Sequence, residues 1–220
     1  MTYRQFTARR GREDFATIFD DFMSFRTADW TLTTTEAGTG AATEVASGGT
    51  GILTVTNDDA DNDLDAFQYA GGGGATVQNI RFVAGKKTQI VGRFNLSAPT
   101  ATDFMFGAYV TDTDPIGGVT HGAYFRVVAG SAALTAVLEN ASTETVVNTG
   151  KVLAANTYVE VELYYNGEDM LVYVDNVRVA KMPLTNLPTG QDLALSFVVQ
   201  NGSAGAKIGR IDYIGSAQER

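Results

Sequence analysis

Glu160 and Glu162 are the nearest this chain comes to a paired catalytic carboxylate. Positions i and i+2 of a strand share a face, and Tyr158 and Tyr164 fall on that face too. Retaining hydrolysis of a glycoside needs two carboxyls about 5–5.5 Å apart, one as nucleophile and one as acid. No third acid joins this pair on its strand, so a hydrolase built here would lack its general acid. The alternation reads instead as the solvated face of an amphipathic strand. His121 is the only histidine. It cannot form a two-histidine metal site, and a Ser-His-Asp triad would have no second candidate base. In the stretch VTHGAYF it falls at a loop–strand junction and reads as a surface or turn histidine. The densest acidic group is Asp58, Asp59, Asp61, Asp63 and Asp65. Asp59, Asp61 and Asp63 have the alternating carboxylates that open a calcium loop. The glycine at position six and the distal glutamate are missing, so this is no EF-hand. A hard cation would relieve the repulsion among these groups, and a solvated acidic loop is the alternative. Twelve Phe, nine Tyr and one Trp could stack on sugars. Most occupy inward strand positions, and Trp30 on an early strand reads as core. The residues supply no catalytic signature. The expectation is a non-enzyme without a cofactor, calcium at Asp59, Asp61 and Asp63 being the one candidate.

Composition narrows the classes further. At 220 residues the chain can bury a real core without staples. There is no cysteine, which excludes disulfides and thiolate metal sites. Charged residues are 19 % and glycines number 24, values that suit a turn-rich β protein. The formal net charge is −9 with a pI near 4.5, a surface that repels nucleic-acid phosphates. No apolar run approaches the roughly eighteen residues of a membrane span, and the N-terminus shows no apolar secretory core. The expectation is a soluble protein made in the cytoplasm, with neither nucleic acid nor membrane as partner. Charge is uneven, however. Residues 1–12 hold Arg4, Arg9, Arg10 and Arg12 and no acid, so +4 sits on that segment and −13 on residues 13–220. A basic arm on an acidic body can dock on an acidic partner. A frayed terminus is the plainer alternative.

Strand signals fill the rest. In Thr157–Met182, Val159, Val161, Leu163 and Tyr165 alternate with Tyr158, Glu160, Glu162 and Tyr164. Asn166-Gly167 and Asp175-Asn176 supply the hairpin turns. Further strands are expected from Trp30, over 51–56, 80–83, 88–96, 104–110, 123–128, 134–139, 143–149, 193–200 and 206–214. The stretch NDDADNDLDAF, Gly71 to Gly74, TDTDPIGG and PLTNLPTG read as loops. Phe15, Ile18, Phe19 and Phe22 form a helical stripe, predicting a short helix before the first strand. About a dozen strands without strand–helix–strand units predict an antiparallel, all-β sandwich. The chain then divides into an extended basic N-terminal arm with a short helix, residues 1–19, and one β-sandwich domain, residues 20–220.

Several segments together resemble a known family. Asp20-Asp21-Phe22 leads to Trp30. A Gly-Gly-x-Gly-Ile-Leu-x-Val-x-Asn segment follows at 48–57. The Tyr-Asn-Gly and Val-Asp-Asn hairpins come next, then a closing Ile211-Asp212-Tyr213-Ile214. This order resembles the concanavalin A-like (laminin G-like) jelly-roll sandwiches, and it implies that the last strand lies beside the first. Glycosidases of that fold share a Glu-x-Asp-x-x-Glu strand, which is absent from this chain, and some of its laminin G-like members bind calcium at loop ends. The cysteine-free, Thr/Gly-rich acidic chain with its basic arm also resembles phage head decoration (cement) proteins. That likeness implies a structural virion protein on the capsid surface, a homotrimer bound to the major capsid protein. Tyr3, Arg4, Arg9, Arg10 and Arg12 would then touch the shell. The alternatives are a carbohydrate-binding module of a phage tail fibre or spike and, behind it, a polysaccharide hydrolase or lyase.

Overall fold

A computed structural model describes residues 15–36, 44–48, 51–73 and 75–220. Fifteen strands lie among these residues: β1 Phe15–Asp20, β2 Trp30–Thr35, β3 Glu44–Gly48, β4 Ile52–Thr56, β5 Leu64–Tyr69, β6 Thr88–Leu96, β7 Thr102–Tyr109, β8 Gly122–Val127, β9 Ala133–Asn140, β10 Thr143–Val152, β11 Val159–Tyr165, β12 Met170–Val174, β13 Val177–Met182, β14 Ala194–Asn201 and β15 Ile208–Glu219. One helical turn, α1 Pro115–Gly118, interrupts the β7–β8 connection. Every pairing between named strands is antiparallel. One sheet runs β13-β12-β11-β6-β15-β4-β3, with β1 added on β15, and the other runs β10-β9-β8-β7-β14-β5-β2.

The turns follow their residue types. Asp175 and Asn176 take φ of 50° and 65°, the left-handed pair of a two-residue hairpin, and join β12 to β13. Asn166 Oδ1 accepts from the backbone N–H of Glu168 and Asp169, closing the β11–β12 turn. The alternation of β11 is real: Val159, Val161, Leu163 and Tyr165 are buried and the intervening residues half-buried.

The two sheets bury their apolar faces on each other. Phe67 stacks on Phe197 with centroids 4.6 Å apart, and Phe94 meets Phe104 at 4.4 Å. Trp30 is 3 % exposed and packs edge-on to Phe197 and Tyr69. Trp30 Nε1 donates to Asp20 Oδ2 at 2.9 Å, which satisfies the indole inside the core. Gly92 on β6 is a packing requirement. A Cβ there would lie 1.9 Å from Phe106 Cζ and 2.7 Å from Tyr213 O.

Three expectations need correction. The helix expected around Phe15–Phe22 does not form, because residues 15–20 are strand β1, paired with Glu219 through Ile214 of β15. A short isolated helix is marginal, whereas a ladder beside the closing strand is supported along its length. Residues 15–19, at the end of the segment assigned to the arm, are paired in the sheet. The acidic loop is shorter than expected, since β5 begins at Leu64 and carries Asp65 into the interior. Residues 80–83 make only isolated bridges, Ile80 with Leu193 and Phe82 with Thr189. The terminal strand does lie beside the first, as the resemblance implies.

Candidate functional site

The outer face of the second sheet is the chemically richest surface. Strand alternation sends Phe104, Phe106, Phe125, Leu138 and Phe197 into the sandwich. Their neighbours Met105, Tyr109, Tyr124, Val137 and Val198 point the other way and form a second, smaller apolar cluster with Leu64 and Ala66. The β7–β8 connection folds back over this cluster and covers it with Ile116 and Val119. Asp114 caps α1 through the Gly117 N–H, and Pro115 begins the turn, so the covering segment carries its own stop and start signals.

Register places Tyr109, Gly122, Glu139 and Glu144 in one row across β7 to β10. Tyr124, in the next row, reaches into it. Its Oη donates to Glu139 Oε2 at 2.6 Å and lies 3.4 Å from Glu144 Oε1. Gly122 makes room for both rings, since a Cβ there would stand 2.8 Å from Tyr109 Cβ and 2.9 Å from Tyr124 Cδ1. Glu144 is gripped by Arg126 through two bonds, 2.5 and 2.8 Å. Glu139 is 5 % exposed. Burial raises its pKa above the ordinary carboxylate value, opposed by the hydrogen bond from Tyr124. Burial likewise drives the Tyr124 hydroxyl far above the ordinary phenol range, with Glu139 adding to the effect. The two glutamates sit in different electrostatic environments, but each is committed to a protein partner.

At one end of this face, Thr35, Asn62, Leu64, Asp114 and Gln200 line an open cleft of about 330 Å³. Its walls are held from behind by the β4–β5 loop. The Asn62 N–H donates to Asn201 O at 2.9 Å. The buried Asn201 side chain donates to Asp58 O and Ala60 O. Buried Asn57 donates to Asp63 O and Val199 O. The cleft thus offers hydroxyl, amide and carboxylate groups around one aliphatic side chain, on a backbone tied before any ligand arrives.

Glu160 and Glu162 lie on the other sheet. Glu162 Oε1 accepts from Gln89 Nε2 at 2.8 Å, on the half-buried side of β11. This agrees with their reading as an amphipathic face. His121 stands immediately before β8, its Nδ1 2.9 Å from Thr120 Oγ1. Of the calcium candidates, the structure gathers only Asp63 into a carboxylate group, with Asp58 and Glu36 as its companions. Asp59 and Asp61 are exposed and stand outside that group. Tyr3, Arg4, Arg9, Arg10 and Arg12 lie outside the described residues. Sequence reasoning missed Glu139 with Glu144, and Glu36 with Asp58. The first pair meets across a hairpin, in register opposite each other, and the alternation of β9 and β10 could have suggested it. The second is separated by two strands, β3 and β4, and carries no local signal.

No family model matches the chain, and no curated protein matches it. Solved structures do. A protein of unknown function from Shewanella oneidensis aligns with a TM-score of 0.62 at 13 % identity, covering 94 % of this chain and 87 % of that one. The carbohydrate recognition domain of Emp47p gives 0.61 at 11 %, covering 93 % and 97 %. A protein from a study of endo-acting O-glycanases of the human gut microbiota gives 0.60 at 14 %, covering 90 % and 97 %. The architecture is therefore the expected jelly-roll sandwich, shared by carbohydrate-binding and glycan-processing proteins. At these identities the likeness concerns fold alone.

Proposed function

We propose that the protein is a non-catalytic carbohydrate-binding sandwich whose ligand occupies the cleft between Thr35, Asn62, Leu64, Asp114 and Gln200. The observation that carries this reading is the cleft itself. Its volume suits a small saccharide unit, and its polar groups converge around one apolar contact. The neighbours that bind or process glycans support the choice of ligand class. Binding is favoured over hydrolysis because Glu139 and Glu144, paired in register on this face, are tied to Tyr124 and Arg126. The test is a glycan array followed by titration calorimetry with the best hit. Gln200→Ala and Asp114→Ala should each weaken binding at least about tenfold, as lost polar contacts to a ligand do. A glycan that binds equally well to both variants, or cleavage of the glycan by the wild type, refutes the proposal.

A second reading has one specific observation behind it, the split of +4 on residues 1–12 and −13 on the remainder. It makes the chain a virion protein whose basic segment binds the major capsid protein of a phage head, as a homotrimer. The two readings are compatible, since a glycan-binding sandwich can be carried on a particle. Co-sedimentation with undecorated capsids tests it: loss of binding on deleting residues 1–12 supports it, and failure of the full chain to sediment ends it.

A further inference from the structure

The cleft is built from chain that carries acids and no bases. Its lining residues come from three stretches: Thr35, Asn62 and Leu64 from residues 27–80, Asp114 from 94–125 and Gln200 from 182–206. All 16 lysines and arginines lie outside these stretches, whereas twelve of the 25 aspartates and glutamates lie inside them. The fold therefore brings together three segments with no basic side chain of their own. Lys207, the first basic residue after Gln200, is 6 % exposed and turned to other partners. Its ammonium donates to the carbonyls of Ser203 and Ala204 at 3.1 Å each and to that of Gly205.

Hydrogen bonds position the acids of the second stretch without cancelling their charge. Asp103, opposite Gln200 in register, accepts from the Ala129 N–H at 2.8 Å. Asp112 accepts from the Asp114 N–H at 2.8 Å. Asp114, in the cleft wall, accepts from the Gly117 N–H at 3.3 Å through Oδ1. These donors are neutral backbone groups. No ion pair among the described residues includes Asp103, Asp112 or Asp114. A cleft lined by one sign of charge concentrates ligands of the opposite sign and repels its own. A carboxylate in its wall forms its strongest hydrogen bond with an ionised donor.

We propose that the cleft selects a saccharide unit bearing a protonated amine, with Asp114 as its counter-charge, and rejects uronate and sulfate units. The selection rests on the glycan reading of the cleft and names the class of sugar it takes. The Thr35 hydroxyl and the Asn62 and Gln200 amides are left for sugar hydroxyls, and Leu64 for the apolar face of a ring. Discrimination against anions comes from the surrounding acids as well as from Asp114, so it extends to ligands that do not touch Asp114.

The experiment titrates the full chain by calorimetry with three oligomers of one length: glucosamine, its N-acetylated form and galacturonate. The pH is held at about 6, between the ordinary carboxylate and amine values. At about 20 mM NaCl the glucosamine oligomer should bind at least about fivefold tighter than the N-acetylated one, and galacturonate at least about fivefold weaker. At about 0.5 M NaCl both differences should shrink to about twofold. Asp114→Asn, which keeps the shape and removes the charge, should cut the preference for the amine at least about threefold at low salt. Gln200→Ala should weaken the amine and N-acetylated oligomers alike. If Gln200→Ala weakens a bound oligomer but the amine is not preferred, the proposal is overturned while the glycan reading of the cleft stands. A preference that survives both Asp114→Asn and high salt overturns it too, since its source is then not charge. If the amine is preferred but Gln200→Ala affects no oligomer, the sugar binds elsewhere and both readings fail. If none of the three binds, the proposal is overturned, and the glycan array alone decides the wider reading.

Discussion

Replacing Tyr124 with phenylalanine removes one oxygen and leaves the ring edge-on to Tyr109, 6.1 Å between centroids. The oxygen removed is the donor to Glu139 Oε2 at 2.6 Å, on a carboxylate 5 % exposed. Glu144 cannot substitute as a donor, and both terminal nitrogens of Arg126 are directed at Glu144. A hydrogen bond to a charged group contributes about 1.5–3 kcal/mol, and its loss here strands a buried anion. The expected cost of Tyr124→Phe is therefore about 1.5–3 kcal/mol near neutral pH. For a chain of this length that corresponds to a fall in Tm of roughly 4–10 °C.

The same network fixes a pH signature. The folded-state pKa of Glu139 lies above its unfolded value of 4.5, with burial as the leading cause. The folded state thus binds more protons than the unfolded one between those two values. The contribution of Glu139 to stability is complete below the unfolded pKa and is lost as pH rises through the folded pKa. Protonated, Glu139 is neutral and tolerates burial without the phenol. The cost of Tyr124→Phe should then shrink to about 1 kcal/mol at the acid end, as for a neutral bond. Urea denaturation of wild type, Tyr124→Phe, Glu139→Gln and the double variant at pH 7.5 and pH 4 measures both effects. Equal costs at the two pH values, together with zero coupling in the double-mutant cycle at pH 7.5, would refute the reasoning.

Other expected outcomes are simpler. Gly92→Ala drives a Cβ into Phe106, and the clash should cost at least about 1–3 kcal/mol by urea denaturation. Phe197→Ala empties the stack on Phe67 and the contacts with Trp30 and Phe22, for about 3–5 kcal/mol in the same assay. Lys207→Met leaves three loop carbonyls without their ammonium. Hydrogen exchange at the backbone amides of Gly205 and Asn57, which bond to Asp59 O and Lys207 O, should accelerate while amides in β8 stay protected.

Much of this fold was legible because its signals are local. The period-two runs of β6, β11 and β14 and the Asn-Gly and Asp-Asn turns each act within a few residues, and they placed those elements well. The errors came where a distant partner decides. Phe15–Asp20 carries a helical stripe, yet β15, about 200 residues later, draws it into a ladder. Leu64–Tyr69 follows a run of acids and asparagines that reads as loop, yet β14 and β2 flank it and bury Asp65, whose Oδ1 accepts from Thr34 Oγ1 at 2.7 Å. The site was less legible for the same reason. The acidic run is visible in the chain, but which carboxylates meet depends on Glu36, brought alongside by β2 pairing with β5.

That dependence bears on how the cleft can work. Its anchors are almost all non-local: Asn57 to Val199, Asn201 to Asp58 and Ala60, and Gly205 to Asp59 join segments about 140 residues apart. No local turn preference could hold Asn62 and Gln200 on opposite walls of one cleft. Only the closed sandwich does, by pairing β14 with β5 so that Gln200 stands opposite Leu64. A cleft assembled in this way has its ordering cost met by the core, which is what preorganised recognition requires. It follows that Asn201→Ala, which removes the side-chain bonds to Asp58 O and Ala60 O, should weaken glycan binding while the overall strand content is unchanged by circular dichroism. The loss should exceed that from any single exposed loop residue, such as Asp61→Ala. Equal, negligible effects of the two changes would mean that the β4–β5 loop does not shape the cleft.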